Sequence, residues 1–234
     1  MNGTHGFFHV ALMNGFGGLA IALEMHGRIL ESGLYDASDR IHVGIVGDLS
    51  QASFLMDYVF TRYSKYAVEH ISPNTLEFEW PTLQKMQEHC KANEDDVWYV
   101  HTKGASNCRP DVPNRIQKNI RDWRGVMCHE VMSKHAECKQ LLQEHDAVGP
   151  LLSVDKWSPH FVGNFWWARA SHIRKLFEIP NEKLKEREYA EAWIGMVEGA
   201  NLFGTTPTLP YDCYDFSNTH GEEGIFKGMP GACL

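Results

Sequence analysis

The chain has 234 residues, of which 43% are hydrophobic and 22% charged, proportions that are typical of a folded globular protein and exclude predominant disorder. Its 30 acidic and 22 basic residues give a formal net charge of −8, which argues against a general nucleic-acid-binding protein because such proteins carry basic surfaces. A chain of this length buries about 70% of its unfolded surface on folding, which is enough for one sizeable core.

The first hundred residues predict alternating strands and helices. Residues 7–12 form an apolar strand, a glycine-rich turn follows at 14–18, and a helix over about 19–32 stops at Gly33. Residues 41–46 form the next strand. This order of strand, helix and strand is typical of a βαβ unit with a parallel sheet.

The remaining elements are predicted by the same periodicities. They are a helix over 52–63, a strand over 67–71, a helix over 81–91, a strand over 97–100, a long helix from Ile116 to Val131, a second helical stretch to Glu144, strands over 147–152 and 161–167, and helical segments over 170–177 and 189–197. The sequence therefore predicts an α/β fold with a Rossmann-type mixed sheet flanked by helices in a single domain. The tail from Thr219 is rich in glycine and polar residues, which favours a loose segment over 219–234.

Cysteine usage and hydropathy predict the compartment. None of the six cysteines forms a CxxC pair, and their spacing matches no zinc motif, so free thiols in a reducing compartment are expected. No run of 18 or more apolar residues is present, and the apolar stretch 7–23 lacks the basic start of a signal peptide. A cytoplasmic protein without a transmembrane span is the resulting prediction.

Polar side chains follow two of the predicted strands. Asp48 ends the second strand, and His101 and Lys103 follow the strand over 97–100. In open parallel sheets, ligands bind beyond the carboxyl ends of the strands. Lys103 is suited to phosphate, His101 to a metal ion or an oxyanion, and Asp48 to a base or ribose. The alternatives are a helix N-cap for Asp48 and ordinary loop residues for the other two.

The helix that follows carries a compact group of charges and aromatic rings. Arg124 is suited to clamp a diphosphate with two parallel hydrogen bonds. A structural ion pair with an aspartate is the alternative.

The segment over 158–171 holds the highest concentration of candidate functional residues in the chain. Period-2 alternation places Phe165 and Trp167 on one face and Asn164 and Trp166 on the other, while Gly163 lets a ligand or another backbone come close. Asn164 offers the donor and acceptor that a sugar hydroxyl needs, and a tryptophan ring stacks on sugars. The alternative is that both tryptophans belong to the core.

A pair of carboxylates opens the helix after residue 187. Glu188 and Glu191 are three residues apart and therefore share a helix face. Either is suited to act as a general base, and solvated helix charges are the alternative.

The motifs together resemble a known family. They are Glu31–Asp36, Val43–Asp48, Trp98–Gly104 (Trp-Tyr-Val-His-Thr-Lys-Gly), Asp146–Gly149, His160–Ser171 (with Gly-Asn-Phe-Trp-Trp) and Ala190–Gly195. In this order, and over nearly the whole chain from about Phe7 to Phe216, the sequence resembles small GT-A-fold glycosyltransferases of bacterial polysaccharide loci and large algal viruses.

The resemblance implies one glycosyltransferase domain over 1–218, with a nucleotide-sugar half over about 1–110 and an acceptor half over about 111–218. Asp48, His101, Lys103 and Arg124 would bind the donor. His160, Gly163, Asn164 and Trp166 would line the acceptor and sugar site. Glu191 falls where inverting enzymes of this kind place the catalytic base.

The sequence departs from the GT-A pattern in its metal motif. No Asp-x-Asp triplet follows the strand over 97–100. A divalent metal, Mn²⁺ or Mg²⁺, is therefore left open, with His101 as a candidate ligand and Lys103 as a replacement for the cation.

The predicted reaction moves a hexose from a nucleotide diphosphate sugar to a glycan hydroxyl, with Glu191 as base and inversion at the anomeric carbon. Two alternatives remain: a sugar nucleotidyltransferase, and a non-catalytic glycan-binding module.

Overall fold

The computed structural model describes residues 2–154, 158–179, 187–207 and 230–231. The strands in this part of the chain are β1 (Thr4–Leu12), β2 (Arg40–Gly47), β3 (Tyr66–Ser72), β4 (Asp96–His101), β5 (Ala147–Gly149), β6 (Leu152–Ser153), β7 (His160–Phe161), β8 (Trp166–Arg169) and β9 (Leu202–Gly204). The helices are α1 (Gly17–Glu31), α2 (Leu34–Ala37), α3 (Leu49–Tyr58), α4 (Trp80–Ala92), α5 (Asn114–Cys128), α6 (His135–Leu141), α7 (Ala170–Ile173) and α8 (Arg187–Ala192).

Seven of these strands form one mixed sheet in the order β3-β2-β1-β4-β8-β5-β9. β1, β2, β3 and β4 are mutually parallel, whereas β8 runs antiparallel to its neighbours β4 and β5. The parallel strands come from the first half of the chain and the mixed part from the second half. The predicted α/β fold with a Rossmann-type mixed sheet is thereby confirmed.

The core lies on both faces of this sheet, because successive strand residues point to opposite sides. Phe8 and Val10 of β1 pack with α1 and α5 on one face. Phe7 packs with α4, α7 and Trp193 on the other face. Continuous burial of β1, β2 and β4 on both faces explains why these strands read as apolar runs rather than as alternating patterns.

The C-terminal end of α1 is set by a glycine. α1 ends before Gly33, whose φ of 77° lies in the left-handed region that glycine tolerates. The Gly33 amide donates to the Leu30 carbonyl at 3.1 Å. The predicted glycine stop of this helix is confirmed.

Two predicted strands are wrong as single elements. The strand over 147–152 is divided, because Leu151 has a φ of 53° and turns the chain between β5 in the main sheet and β6 in a separate two-stranded sheet with β7. The strand over 161–167 is interrupted at Gly163 and Asn164, which have φ values of 95° and 60°. β8 begins only after this turn, at Trp166.

The long predicted helix also changes its geometry along its length. α5 ends at Cys128 and continues as a π-helical turn over His129–Ser133 before α6 begins. Trp123, Met127 and Val131 are buried on the same side, as the helical spacing predicted.

The predicted end of the domain at 218 and most of the tail over 219–234 lie outside the described residues. No described helix is long and apolar enough to span a bilayer.

Candidate functional site

The carboxyl ends of β1, β2 and β4 meet at one edge of the sheet, as the parallel order requires. This carboxyl edge carries the glycine-rich turn after β1, Asp48 after β2, and the loop that begins at Thr102 after β4. A small cavity of about 90 Å³ opens here and is lined by His9, Glu79, His101 and Arg187, among others. The edge is therefore the place where the predicted donor residues converge.

His101 is the last residue of β4 and is buried. Its Nε2 lies 2.9 Å from the Gly163 carbonyl oxygen, which can only accept, so Nε2 carries the proton. Its Nδ1 lies 3.6 Å from Glu79 Oε1. Burial, and then the charge of Lys103, lower the pKa of His101 to about 3. The ring is therefore neutral at pH 7, with its protonated Nε2 bonded to a backbone carbonyl and its Nδ1 near a carboxylate.

Glu79, just before α4, is a residue that the sequence did not single out. Its Oε2 accepts hydrogen bonds from the Tyr99 hydroxyl at 3.0 Å and from Asn164 Nδ2 at 2.5 Å. Asn164 Oδ1 in turn accepts from Trp166 Nε1 at 2.7 Å. The carboxylate thus ties α4, β4 and the turn before β8 into one polar network beneath the carboxyl edge.

Two predicted donor cations already interact with protein groups. Lys103 is buried, and its Nζ lies 3.8 Å from the centre of the Trp123 ring, a cation–π geometry. Arg124 pairs with Glu24 at 2.6 Å and donates to the Lys103 carbonyl at 2.8 Å. The partner of Arg124 is therefore a glutamate on α1 rather than a neighbouring aspartate.

A larger cleft adjoins these cations on the outer side of the loop after β4. This basic cleft has a volume of about 750 Å³ and is lined by the first turns of α5 and by residues 104–108. It contains Arg115, Lys118 and Arg121 in addition to one side of Arg124. Lys118 pairs with Asp122 at 2.9 Å, whereas the described residues offer no ion-pair partner to the exposed Arg115 and Arg121.

The predicted base, Glu191, is on α8 and is half-buried. Its Oε1 accepts a short hydrogen bond from the Gly163 amide. Since the carbonyl of Gly163 accepts from His101, this one peptide segment connects the Glu191 carboxylate with the imidazole of His101. The fold thus brings two predicted site residues to either side of Gly163.

The absence of a side chain at Gly163 is explained by packing against α5 rather than by the close approach of a ligand. A Cβ at this position would lie inside contact distance of Met127 Sδ and 3.0 Å from the Trp123 ring. The missing side chain therefore makes room for α5.

The other residues predicted to line a sugar site are mostly internal. Asn164 and Trp166 are buried, and the Trp166 ring packs 5.3 Å from the Tyr99 ring between centroids. In this arrangement the Trp166 ring has no exposed face for a sugar. His160 is half-buried, with Nδ1 3.0 Å from the Ser158 carbonyl oxygen.

Asp48 acts as the N-cap of α3. Its Oδ1 accepts from the Ser50 and Gln51 amides at 2.8 and 3.1 Å, the arrangement that satisfies two otherwise unpaired donors of a first helical turn. The Ser50 hydroxyl also donates to Asp48 Oδ1, and this hydrogen bond has the largest effect in lowering the pKa of Asp48. The amide hydrogen bonds lower this pKa further.

A metal ion at the carboxyl edge would have few ligands among the described residues. Among all the described residues, only His5, His42 and His89 place three metal-ligating atoms within 4.8 Å of one another. These three histidines lie at the other end of the strands. At the carboxyl edge, His9 lines the same cavity as His101 and Glu79, but these three residues do not bring their ligand atoms within 4.8 Å of one another. The described residues therefore do not fit a metal held at this edge by three protein ligands.

The comparisons with known proteins give one family and several distant structural likenesses, of which two are described. No curated protein sequence matches the chain. A crystal structure of 4-diphosphocytidyl-2C-methyl-D-erythritol synthase from Anaerococcus prevotii is similar at 11% identity and a TM-score of 0.44, over 88% of this chain and 87% of that one. A second structure of an enzyme with that name is similar at 11% identity and a TM-score of 0.39, over 95% of both chains. The model of one family matches residues 27–209, and the chain belongs to that family, the domain of unknown function DUF8361.

Proposed function

We propose that this protein is a transferase that binds a nucleotide sugar or its precursors at the carboxyl edge of the sheet, with the phosphates in the basic cleft. One observation carries the proposal: Arg115 and Arg121 line a cleft of about 750 Å³ and have no carboxylate partner among the described residues. Phosphate oxygens are the groups that arginine binds with two parallel hydrogen bonds.

The position of the cleft supports a phosphate ligand further. α5 begins at Asn114, and the Asn114 and Arg115 amides precede the first hydrogen bonds of the helix, which the Ile116 and Gln117 amides donate to the Pro113 carbonyl. The positive end of the helix dipole adds to the charge of the two arginines. A protein with a net charge of −8 thereby presents a local positive surface.

The first form of the proposal is glycosyl transfer, to which the sequence resemblance points. The acceptor hydroxyl oxygen attacks the anomeric carbon, the bond from that carbon to the diphosphate breaks, and the nucleoside diphosphate leaves. Glu191 would take the hydroxyl proton, and its half-buried carboxylate next to Gly163 leaves the second oxygen, Oε2, for that role. The cations of the basic cleft would stabilise the charge on the departing diphosphate.

The second form is nucleotidyl transfer, which the lining of the basic cleft favours. A phosphate oxygen of a sugar phosphate attacks the α-phosphorus of a nucleoside triphosphate, and pyrophosphate leaves. This reaction needs cations around three phosphates and no carboxylate base, because the attacking oxygen is already negative. The described residues that line the cleft are cations, amides and apolar groups, and none of them is a carboxylate.

Product analysis separates the two forms. The protein is incubated either with UDP-, GDP- and dTDP-sugars and glycan acceptors, or with nucleoside triphosphates and sugar 1-phosphates, each with and without Mn²⁺ or Mg²⁺. Release of a nucleoside diphosphate supports glycosyl transfer, and release of pyrophosphate supports nucleotidyl transfer. Glycan binding without nucleotide binding would instead make the chain a glycan-binding module and contradict the proposal.

The phosphate site itself is tested by charge removal. Arg121→Ala should weaken nucleotide binding about 10- to 100-fold, the loss expected for a charged hydrogen bond. Arg62→Ala, an exposed arginine that lines neither cavity, is the matched control and should leave affinity unchanged. Equal affinities for the two variants, measured by calorimetry at low salt, would remove the basic cleft from the proposal.

A further inference from the structure

A second group of histidines lies at the amino end of the same strands. His5 on β1 and His42 on β2 are near neighbours in the parallel register, and His89 is in the last turn of α4, which packs on this face. We call His5, His42 and His89 the amino-end cluster. His5 precedes His9, which pairs with His101 at the end of β4, by four strand residues or about 13 Å, and His42 pairs with Phe7, two residues before His9.

The three rings are close enough to share one ion. His5 Nδ1 lies 3.1 Å from His42 Nε2, and one ring nitrogen from each of the three residues lies within 4.8 Å of the other two. Two nitrogens bound to one tetrahedral zinc ion at 2.0–2.1 Å are separated by about 3.3 Å. The His5–His42 pair already has nearly this spacing, and a ring nitrogen of His89 lies within 4.8 Å of both.

Two carboxylates, Glu69 and Asp95, contact the three rings. Glu69 Oε1 lies 2.7 Å from His42 Nδ1, so that nitrogen donates and Nε2 directs its lone pair toward His5. Asp95 Oδ2 lies 2.8 Å from His89 Nε2 and 3.6 Å from His5 Nε2. A carboxylate on the outer nitrogen of a ligating histidine fixes its tautomer and orientation.

The cluster is also accessible. The side chains of His5, His42 and His89 are 18%, 10% and 14% exposed, so an ion can reach them from solvent.

We propose that the amino-end cluster binds one divalent transition-metal ion of the zinc class, through His5, His42 and His89, with Glu69 orienting His42 and Asp95 beside the other two rings. Three imidazoles favour zinc, copper, nickel or iron over calcium and magnesium, which prefer oxygen ligands. The ion would join β1, β2 and α4. This proposal does not depend on the proposed function, because the site is remote from the carboxyl edge.

Cobalt substitution provides a direct readout. The protein is stripped with EDTA and titrated with Co²⁺, whose four-coordinate complexes absorb strongly in the visible range. The expected result is one Co²⁺ per chain, with bands typical of nitrogen and oxygen ligands, displaced by one equivalent of Zn²⁺. Zn²⁺ should also raise the melting temperature of the stripped protein.

Variants locate the ion. His42→Gln should abolish the visible bands, and Glu69→Gln should weaken zinc binding about 10- to 100-fold, as loss of an orienting partner does. His145→Gln, on a ring that stacks on Phe203 at the far edge of the sheet, is the matched control and should bind as the unaltered protein does. Because Glu69 is about one-third exposed, its variant serves even where His42→Gln fails to fold.

Three results would overturn the proposal. The first is the absence of stoichiometric Co²⁺ or Zn²⁺ binding at micromolar concentration. The second is a near-ultraviolet charge-transfer band, which would assign the ion to cysteine thiolates. The third is unchanged zinc affinity in both Glu69→Gln and His42→Gln, or in Glu69→Gln alone where His42→Gln does not fold.

Discussion

Two groups of histidines lie beneath α4 on one face of the sheet, and they differ in what their ring nitrogens touch. At the carboxyl end, His9 Nδ1 contacts Thr82 Oγ1 at 2.9 Å, and His101 donates to a backbone carbonyl. In the amino-end cluster, nitrogens of His5 and His42 face each other. Thus the first group is fixed by hydrogen bonds to a hydroxyl and a backbone carbonyl, whereas in the second group two rings contact each other through their nitrogens and carboxylates contact all three rings.

The difference shows that residue type alone does not decide what a histidine does. Both groups contain rings that are neutral at pH 7, because burial lowers the pKa of His5, His9 and His101. What separates them is the partner on each nitrogen, and that partner comes from another element in every case. Stability measurements test the assignment of a structural role to the carboxyl-end group, and acid is expected to have the largest effect.

Acid should cause the largest loss of stability. Burial lowers the pKa of His9 to about 4 and that of His101 to about 3, against 6.5 in the unfolded chain. Their contribution is present above pH 6.5 and declines as pH falls toward the folded values. As pH falls from 6.5 to 5, the unfolded rings take up protons and the folded rings do not, so the free energy of unfolding should fall by about 3 kcal/mol for the two rings together. The loss grows below pH 5. The charged and titratable side chains that act on them are His70, Glu79, Lys103, Arg187 and Glu191.

Urea denaturation at several pH values, with EDTA present, measures this loss. His9→Asn keeps a polar group near Thr82 and should remove about half of the slope between pH 6.5 and 5. A free energy of unfolding that is constant over this range would show that the two rings do not stay neutral in the folded state.

Gly163→Ala should be the most damaging single substitution of this set. The added methyl group meets Met127 and Trp123, and the φ of 95° disfavours any side chain. Overpacking and backbone strain together should cost about 3 kcal/mol. Gly27→Ala, in α1 with nothing within 4 Å of the new Cβ, is the control and should be neutral or slightly stabilising. Similar melting temperatures for the two variants would contradict the packing argument.

Replacement of two glutamates compares the two ends of the sheet directly. Glu79→Ala leaves the buried Tyr99 hydroxyl without its acceptor and leaves Asn164 Nδ2 with the Ala190 carbonyl alone, so we expect a loss of about 2 kcal/mol. Glu69→Ala removes only a partly exposed partner of His42 and should cost less than about 1 kcal/mol in the metal-free protein. Chemical denaturation measures both, and the reverse order would mean that the amino-end cluster is the more structural of the two groups.

Asp48 should give the smallest effect. Asp48→Ala removes the exposed N-cap of α3 and should lower the melting temperature slightly, by much less than Gly163→Ala does. Asp48→Asn keeps the cap, so its stability should be close to that of the unaltered protein. Nucleotide titration of the Asp48→Asn variant tests the predicted contact between Asp48 and the nucleotide donor. Unchanged affinity would mean that Asp48 acts only as a helix cap, and weaker affinity would support its role in binding.

The features that the sequence predicted correctly are those that depend on local patterns of residues. Apolar runs bounded by glycine and by polar residues predicted β1, β2 and β4, and helical spacing predicted the buried side of α5. The convergence of Asp48, His101 and Lys103 at one edge follows from the parallel order of the strands. The interruption at Gly163 and Asn164 was missed, because alternation of side chains continues through a segment whose backbone turns.

The sequence by itself therefore determined the α/β class, the order of the first strands and helices and the edge at which Asp48, His101 and Lys103 lie, since hydrophobic periodicity and chain direction are local properties. Only the tertiary structure decided the partners of the polar groups. It paired Arg124 with Glu24, placed Glu79 beneath His101, turned Trp166 inward and brought His89 to His5 and His42. The physical reason is that these contacts join residues up to 100 positions apart in the chain, and no local pattern records which distant side chain will satisfy a buried charge or hydrogen bond.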